Sequence, residues 1–486
     1  MVSNPDFPHR IASGKGSIRL FQFITYRIRE KETVIVMAAI QEITKRALRR
    51  TAEAVSDGWY FGDEESKHRA RHLQFNYTNN IIANWVGGNF FTGIMLLLNA
   101  DDGFIGLMSI FVFSANCLQI LSSMLLERFK TRKRLIITVR LIVQFINILF
   151  IGAIPLFPLE NQAKLVILGA SVLILNVLSA LIAPGFSVWH IQLIPQHVRV
   201  KYFSFLSMTN GIIVAVFNLI GSAIVDHFGS LGLEVWGFAV MRIIAFGVLI
   251  YDLFLLSRMK EEPYPLSEKK TSLADLLIKP FKETRYLRVV AFAFTWCMIA
   301  NIPGSYYSVY LLRNLEVSYS FITLISMLNV PILVLLTPLW SRILRRFSWL
   351  KTCNIAILLY AVHYLLLGCI NKGNVMWLYP ATLIYAYVLA VGINLSFTNV
   401  PYINIPEKNQ TIFISFYTTM NNLGALLGVT FGREFIALTE GLSTPDFSNK
   451  QLLMYTVFGL MVLGAVVMFF LRRSLDKSDR KAAENT

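Results

Sequence analysis

The residues best placed to do chemistry in this chain are amides. Asn80, Asn84 and Gly87 stand at i, i+4 and i+7 inside a hydrophobic run, with Trp85 and Asn89 beside them. Asn301, Ser305 and Ser308 repeat that spacing in a later run, next to Tyr306, Tyr307 and Tyr310. Asn176 occupies a third run, and Tyr387 and Asn394 stand at i and i+7 in a fourth. Residues so spaced share one face of a helix. An amide is costly in an apolar medium unless it is hydrogen-bonded, so these groups must face protein, water or a solute. The chemistry they offer is reversible binding of a hydroxyl- or amide-bearing solute. The alternative is that they bond between helices and hold the packing.

Other chemistries lack their residues. No His, Asp or Cys cluster gathers at one depth, as a membrane enzyme would need, and no phosphate-cradling glycine loop is present. Cys117, Cys297, Cys353 and Cys369 fit no metal-ligand spacing and suggest no disulfide framework. The sequence therefore predicts no enzyme and no cofactor. Asp252 and His363 could titrate inside predicted helices, and pairing or a polar contact is the expected role of each. Arg140 and Arg242 lie shallow enough in their predicted helices to snorkel to an interface.

The elements that must position the amides follow from composition. The chain has 486 residues, of which 55% are hydrophobic and only 15% charged. Hydrophobic runs recur from about Phe75 to Leu471, each long enough to cross a hydrocarbon core of about 30 Å as a helix. They predict twelve helices near 75–98, 104–126, 135–157, 163–184, 203–226, 236–256, 288–311, 318–340, 350–370, 376–396, 412–433 and 451–471. The net charge of +16 lies in short loops without a basic, aromatic stripe, so nucleic acid is not an expected partner.

Those loops orient the chain. Residues 127–134 carry five cations and one acid, and residues 341–351 carry four cations and no acid. Arg199 and Lys201 mark 185–202, and 257–287 has seven cations against five acids. The alternate connections carry Asp101, Asp102, Asp226 and Glu234 instead. Basic loops stay in the cytoplasm, which predicts a multi-pass protein of the cell membrane with both termini cytoplasmic. The sequons at Asn76 and Asn409 then lie on the cytoplasmic side and carry no weight.

The chain also repeats itself. IANWVGGNF (82–90) returns as IANIPGSYY (299–307), and LLERFKTRK (125–133) as ILRRFSWLK (343–351). LIPQHVRVKYFSF (193–205) returns loosely as NIPEKNQTIFISF (404–416), and SMTN (207–210) as TMNN (419–422). The nearly constant offset spans six helices, an even number, so both halves face the same way. The fold class is an all-α membrane protein of twelve transmembrane helices in two pseudo-symmetric six-helix bundles. The predicted parts are a tail at 1–74, bundles at 75–256 and 288–471, a joining loop at 257–287 and a second tail at 472–486.

The stretch SSMLLERFKTRKRLI (122–136) resembles the loop signature of the major facilitator superfamily, Gly-x-Leu-x-Asp-Arg-x-Gly-Arg-Lys. Leu125, Arg128 and Arg132 fit. Glu127 stands where that family has Asp, Ser123 and Lys130 replace its glycines, and Thr131 replaces the first Arg of the basic pair. Pro195 and Arg199 are similar to the Pro and Arg that precede helix 5 in the family, and 75–472 fits its twelve-helix plan. The resemblance implies a gate in which Glu127 meets the N-terminal end of helix 11 near Thr411, with Arg128 and Arg132 bracing the loop. Arg345 and Arg346 hold the matching loop of the second half, where Arg345 replaces the acid and no mirror latch is implied. It also implies that helices 1, 4, 7 and 10 line a central cavity. The predicted solute contacts there are Asn80, Asn84, Trp85, Asn89, Asn176, Asn301, Ser305, Tyr306, Tyr387 and Asn394. Within these helices the only Asp, Glu, Lys, Arg or His residues are Lys164 and Arg288, at the starts of helices 4 and 7, which favours a small neutral, zwitterionic or amphipathic solute and argues against a proton-binding carboxylate.

Gly424, Gly428 and Gly432 form a small-residue face expected to pack closely. Residues 40–52 read as an amphipathic basic helix that lies on anionic inner-leaflet lipid. Met37 opens a shorter chain that keeps every span, and translation is expected to start there. The functional expectation is a secondary transporter working by alternating access as a monomer. The alternative is a transporter-like sensor that binds its solute without turnover.

Overall fold

The computed structural model describes residues 64–126, 129, 131–194, 196–261, 278–347, 349–400, 410–444 and 447–484, so the predicted basic helix at 40–52 lies outside the described residues. Residues from Lys67 onward form one compact unit. The described residues contain no strand. Helices occupy all the predicted positions: α1 (Glu64–Val86 and Gly88–Leu97), α2 (Asp102–Cys117 and Ile120–Leu126), α3 (Lys133–Leu156), α4 (Asn161–Gln192), α5 (Gln196–Ser230) and α6 (Glu234–Arg258). The second half has α7 (Thr284–Ala300 and Tyr306–Val309), α8 (Tyr319–Met327 and Asn329–Arg346), α9 (Trp349–Gly368), α10 (Val375–Asn399), α11 (Gln410–Leu438) and α12 (Asn449–Glu484). One apolar core gathers residues from Tyr286 to Met468. A second runs from Ile81 to Leu249 and takes in Val309 of α7.

Eight of these helices are long and apolar enough to cross a membrane: α3 to α6, α8 to α10, and α12. The other four are α1, α2, α7 and α11. The sequence predicts α1 and α7 as unbroken, and the structure corrects this. In α1, Gly88 adopts φ +52°, and in α7, Gly304 adopts φ +47°. Both lie in the left-handed region that glycine enters without strain. The two breaks fall within one residue of each other when IANWVGGNF is laid on IANIPGSYY. The repeat therefore marks equivalent helix breaks as well as equivalent helices.

A break in an apolar surround exposes carbonyls that need donors. For α1 the donor is Arg242 of α6. Its guanidinium bonds the Val86 carbonyl at 3.4 Å and the Asn147 carbonyl of a π-helical turn, Ile146–Phe150, in α3. At 2% exposure Arg242 does not snorkel, contrary to the sequence expectation. The break in α7 lies against the glycine face of α11. A Cβ at Gly428 or Gly432 would fall 2.1 Å from the carbonyl oxygens of Met298 and Ile302, so these helices meet backbone to backbone.

Arg140 does not snorkel either. It pairs with Asp252 of α6 at 2.9 Å, donates to Asn79 Oδ1 at 3.0 Å, and lies over the Phe75 ring. Thr78 donates to the other Asp252 oxygen at 2.8 Å. Asp252 thus has the expected pairing role, and His363 the expected polar contact, to the Thr382 carbonyl at 3.3 Å. At the face carrying the basic loops, Glu261 accepts from the Arg132 and Lys133 backbone N–H groups at 2.6 and 2.9 Å, meeting the positive end of α3.

A histidine cluster that the sequence reading did not single out lies at the same face. His72 Nδ1 contacts the Tyr202 hydroxyl at 2.5 Å, and His72 Nε2 contacts His190 Nδ1 at 3.0 Å. Twenty residues back from Leu97 reaches Thr78, so His72 stands outside a core of about 30 Å. Burial pushes His72 down from 6.5 to about 4, and burial also pushes His190 down, helped by His72 and Arg140.

Two predictions follow from these buried groups. Asp252→Ala leaves Arg140 buried without its partner and is expected to cost about 3–5 kcal/mol, whereas Arg140→Met with Asp252→Leu together should be nearly neutral. Denaturant or thermal unfolding in detergent reads the difference. Between pH 6.5 and about 4 the unfolded chain takes up a proton that folded His72 refuses, so stability falls as pH drops through that window. His72→Gln should flatten the slope of melting temperature against pH there.

Candidate functional site

A cavity of about 500 Å³ lies between α1, α5 and α8. Asn80, Asn84 and Asn89 reach it from α1, Asn210 and Asn218 from α5, and Thr323, Ser326 and Asn329 from α8. Among the described residues, no charged side chain lines it. Asn80 and Asn84 each donate their amide N–H to the carbonyl four residues earlier, at 2.8 Å. Their Oδ1 atoms are left to accept, and Asn218 Nδ2 already donates to that of Asn84 at 3.3 Å. The wall is therefore uncharged and rich in acceptors, suited to a solute that brings hydroxyl or N–H donors.

Of the predicted contacts, the cavity brings together Asn80, Asn84 and Asn89. Trp85 points the other way, donating to the Phe217 carbonyl at 3.0 Å inside the core that runs from Ile81 to Leu249. Asn176 donates to the Val172 carbonyl, and Asn301 to the Cys297 carbonyl where α7 breaks. Ser305 meets Ser109 of α2 at 3.3 Å, and the Tyr306 hydroxyl donates to the Asp102 carbonyl at 3.2 Å. Tyr387 and Asn394 of α10 are not among the lining residues. The α5 and α8 contributions were missed by the sequence reading. Asn210, Val214 and Asn218, with Thr323, Ser326 and Val330, form helical stripes that spacing alone could have shown.

Among the predicted gating residues, Glu127 and Arg128 lie outside the described residues, as does the Arg345 side chain. Arg132 joins α3 to Glu261 through its backbone, and Arg346 is exposed beside Phe347. Among the described residues, several bonds join the halves at the opposite, acidic face. Asp102 takes Arg313 at 3.1 Å and Lys450 at 2.6 Å. Arg313 also donates to the Ala100 carbonyl at 2.6 Å, and Arg433 to the Gly103 carbonyl at 3.2 Å. Asp226, at the end of α5, accepts from the Tyr319 and Ser320 N–H groups at 3.1 and 2.8 Å and so caps α8. One turn deeper, Ser222 meets Thr323 at 2.6 Å.

The sequence model of the Major Facilitator Superfamily matches residues 75–429. No curated protein matches the chain. Among solved structures, the nucleoside transporter NupG is 12% identical with a TM-score of 0.61, covering 82% of this chain and 98% of that one. A POT family transporter in complex with 5-aminolevulinic acid is 15% identical at a TM-score of 0.61, covering 87% and 99%. A D-xylose-proton symporter is 16% identical at 0.56, covering 82% and 94%.

If the cavity is a solute site, Asn84→Ala and Asn218→Ala should each weaken binding about tenfold, or about 1.4 kcal/mol. Asn301→Ala should leave affinity unchanged and lower only the melting temperature. Calorimetric titration with a bound solute separates the two effects.

Proposed function

Since the chain belongs to the major facilitator superfamily, we propose that it carries a small uncharged or zwitterionic solute across the cell membrane by alternating access. Family membership makes it a multi-pass membrane protein and a secondary transporter. The observation that carries the finer reading is the charge-free, amide-lined cavity between α1, α5 and α8. Two similar solved structures, a nucleoside transporter and a D-xylose-proton symporter, suit the same chemistry of hydroxyl-rich, uncharged solutes. The bonds of Asp102 and Asp226 between the halves support a state shut at the acidic face. In this reading the basic loops and both termini lie in the cytoplasm, and residues 40–52 rest on anionic lipid of the inner leaflet. The bundles at 75–256 and 288–471 rock about the cavity, and one chain suffices.

A thermal-shift screen of sugars, nucleosides, amino acids and short peptides tests the solute class. A ligand at 100 times its dissociation constant adds about 2.7 kcal/mol of stability. Sugars or nucleosides are expected to shift the melt of the parent and not that of an Asn84→Ala, Asn218→Ala double variant. Any hit should then exchange across proteoliposomes. A hit that binds without flux would instead support the sensor reading.

A further inference from the structure

A second cavity, of about 450 Å³, lies on the acidic-face side of the first. Leu96, Leu97 and Gly229 line it, with Asp226, Arg313 and Glu316 among its polar walls. Among the described residues, Tyr319 is the one that lines both cavities. Its ring stacks on Phe90 of α1, with centroids 5.8 Å apart and planes 6° from parallel, and meets the edge of Phe238 of α6 at 6.1 Å. Its hydroxyl sits over Gly93, where a Cβ would fall only 2.2 Å away. Its backbone N–H is held by Asp226.

We propose that the Tyr319 ring is the partition of a single path through the protein, seated on Gly93 and clamped by Asp226, and that its withdrawal opens the central cavity to the acidic face. The ring belongs to the second half, whereas Phe90, Gly93, Phe238 and Asp226 all belong to the first. Any separation of the halves at this face must therefore pull the ring from its seat. The same motion breaks the Asp226 cap, so the gate and the clamp open together. Glycine at position 93 is required by the closed state: a methyl group there would occupy the space of the tyrosine hydroxyl. The inference rests on the central cavity being the solute site.

Cysteine accessibility tests it in the full chain in membranes. In a background with the four native cysteines replaced by alanine, Ser326→Cys reports on the central cavity and Val317→Cys on the outer one. A membrane-impermeant maleimide is applied from the side on which Val317→Cys reacts. Ser326→Cys should label slowly in the parent and about tenfold faster with Tyr319→Ala or Gly93→Ala, as a minor open state becomes the main one. Tyr319→Phe keeps the ring and should label like the parent. The proposal is overturned if Tyr319→Ala leaves the rate unchanged, or if Tyr319→Phe opens the cavity as fully as Ala does. In permeabilised membranes Ser326→Cys should react in every variant. Failure there would overturn the cavity reading itself, and the gate with it. Unchanged labelling beside intact solute binding would remove the gate alone.

Discussion

A chain in lipid cannot borrow water for its backbone, and the rest of this structure is arranged around that constraint. Most of its helices meet the demand internally. Where α1 and α7 break, the protein supplies substitutes of two different kinds. Arg242 brings donors to the carbonyls freed in α1 and in the π-helical turn of α3. The glycine face of α11 instead brings a second backbone close against α7. The same demand operates at helix starts, where carboxylates serve. Asp101 accepts from the Phe104 N–H of its own helix at 2.7 Å, Glu261 serves α3, and Asp226 serves α8. The first bond stays within the first half, and the second ties the joining loop to it. The third crosses between halves, so a bond that completes a helix also joins the two halves.

The two halves share a plan and divide the labour unequally. The break in α1 borders the central cavity, with Gly88 and Asn89 among its lining residues. The equivalent break in α7 borders α2 and the acidic face, where Ser305 and Tyr306 bond across to Ser109 and Asp102. Equivalence by repeat thus describes the backbone, and the side chains around each break set its task. Asp102 illustrates the economy of the arrangement. It sits in the first turn of α2, where an acid suits the helix dipole, and it receives Arg313, just beyond α7, and Lys450 of α12.

Much of this was legible in the sequence. Hydrophobic runs located the helices, and the four short repeats located the two halves. Asn80, Asn84 and Asn89 could be read from spacing because amides are costly in lipid unless used. The breaks at Gly88 and Gly304 lay inside the strongest repeat, but a glycine in a hydrophobic run is as compatible with close packing as with unwinding. The pairing of Arg140 with Asp252 and the inward reach of Arg242 depend on partners from other helices, which spacing along one helix does not show. Asn210 and Asn218 were passed over because the family plan directed attention to helices 1, 4, 7 and 10.

The central claim is that the acidic face closes and opens as the halves move, with Asp102 and Asp226 holding it closed. Distance measurements between spin labels at Leu231 and Leu442, exposed at that face on the first and second halves, test it most directly. In lipid nanodiscs the account predicts two separations, with the longer one gaining share when Asp102 and Asp226 are changed to Asn. A single separation, unmoved by those substitutions, would contradict it.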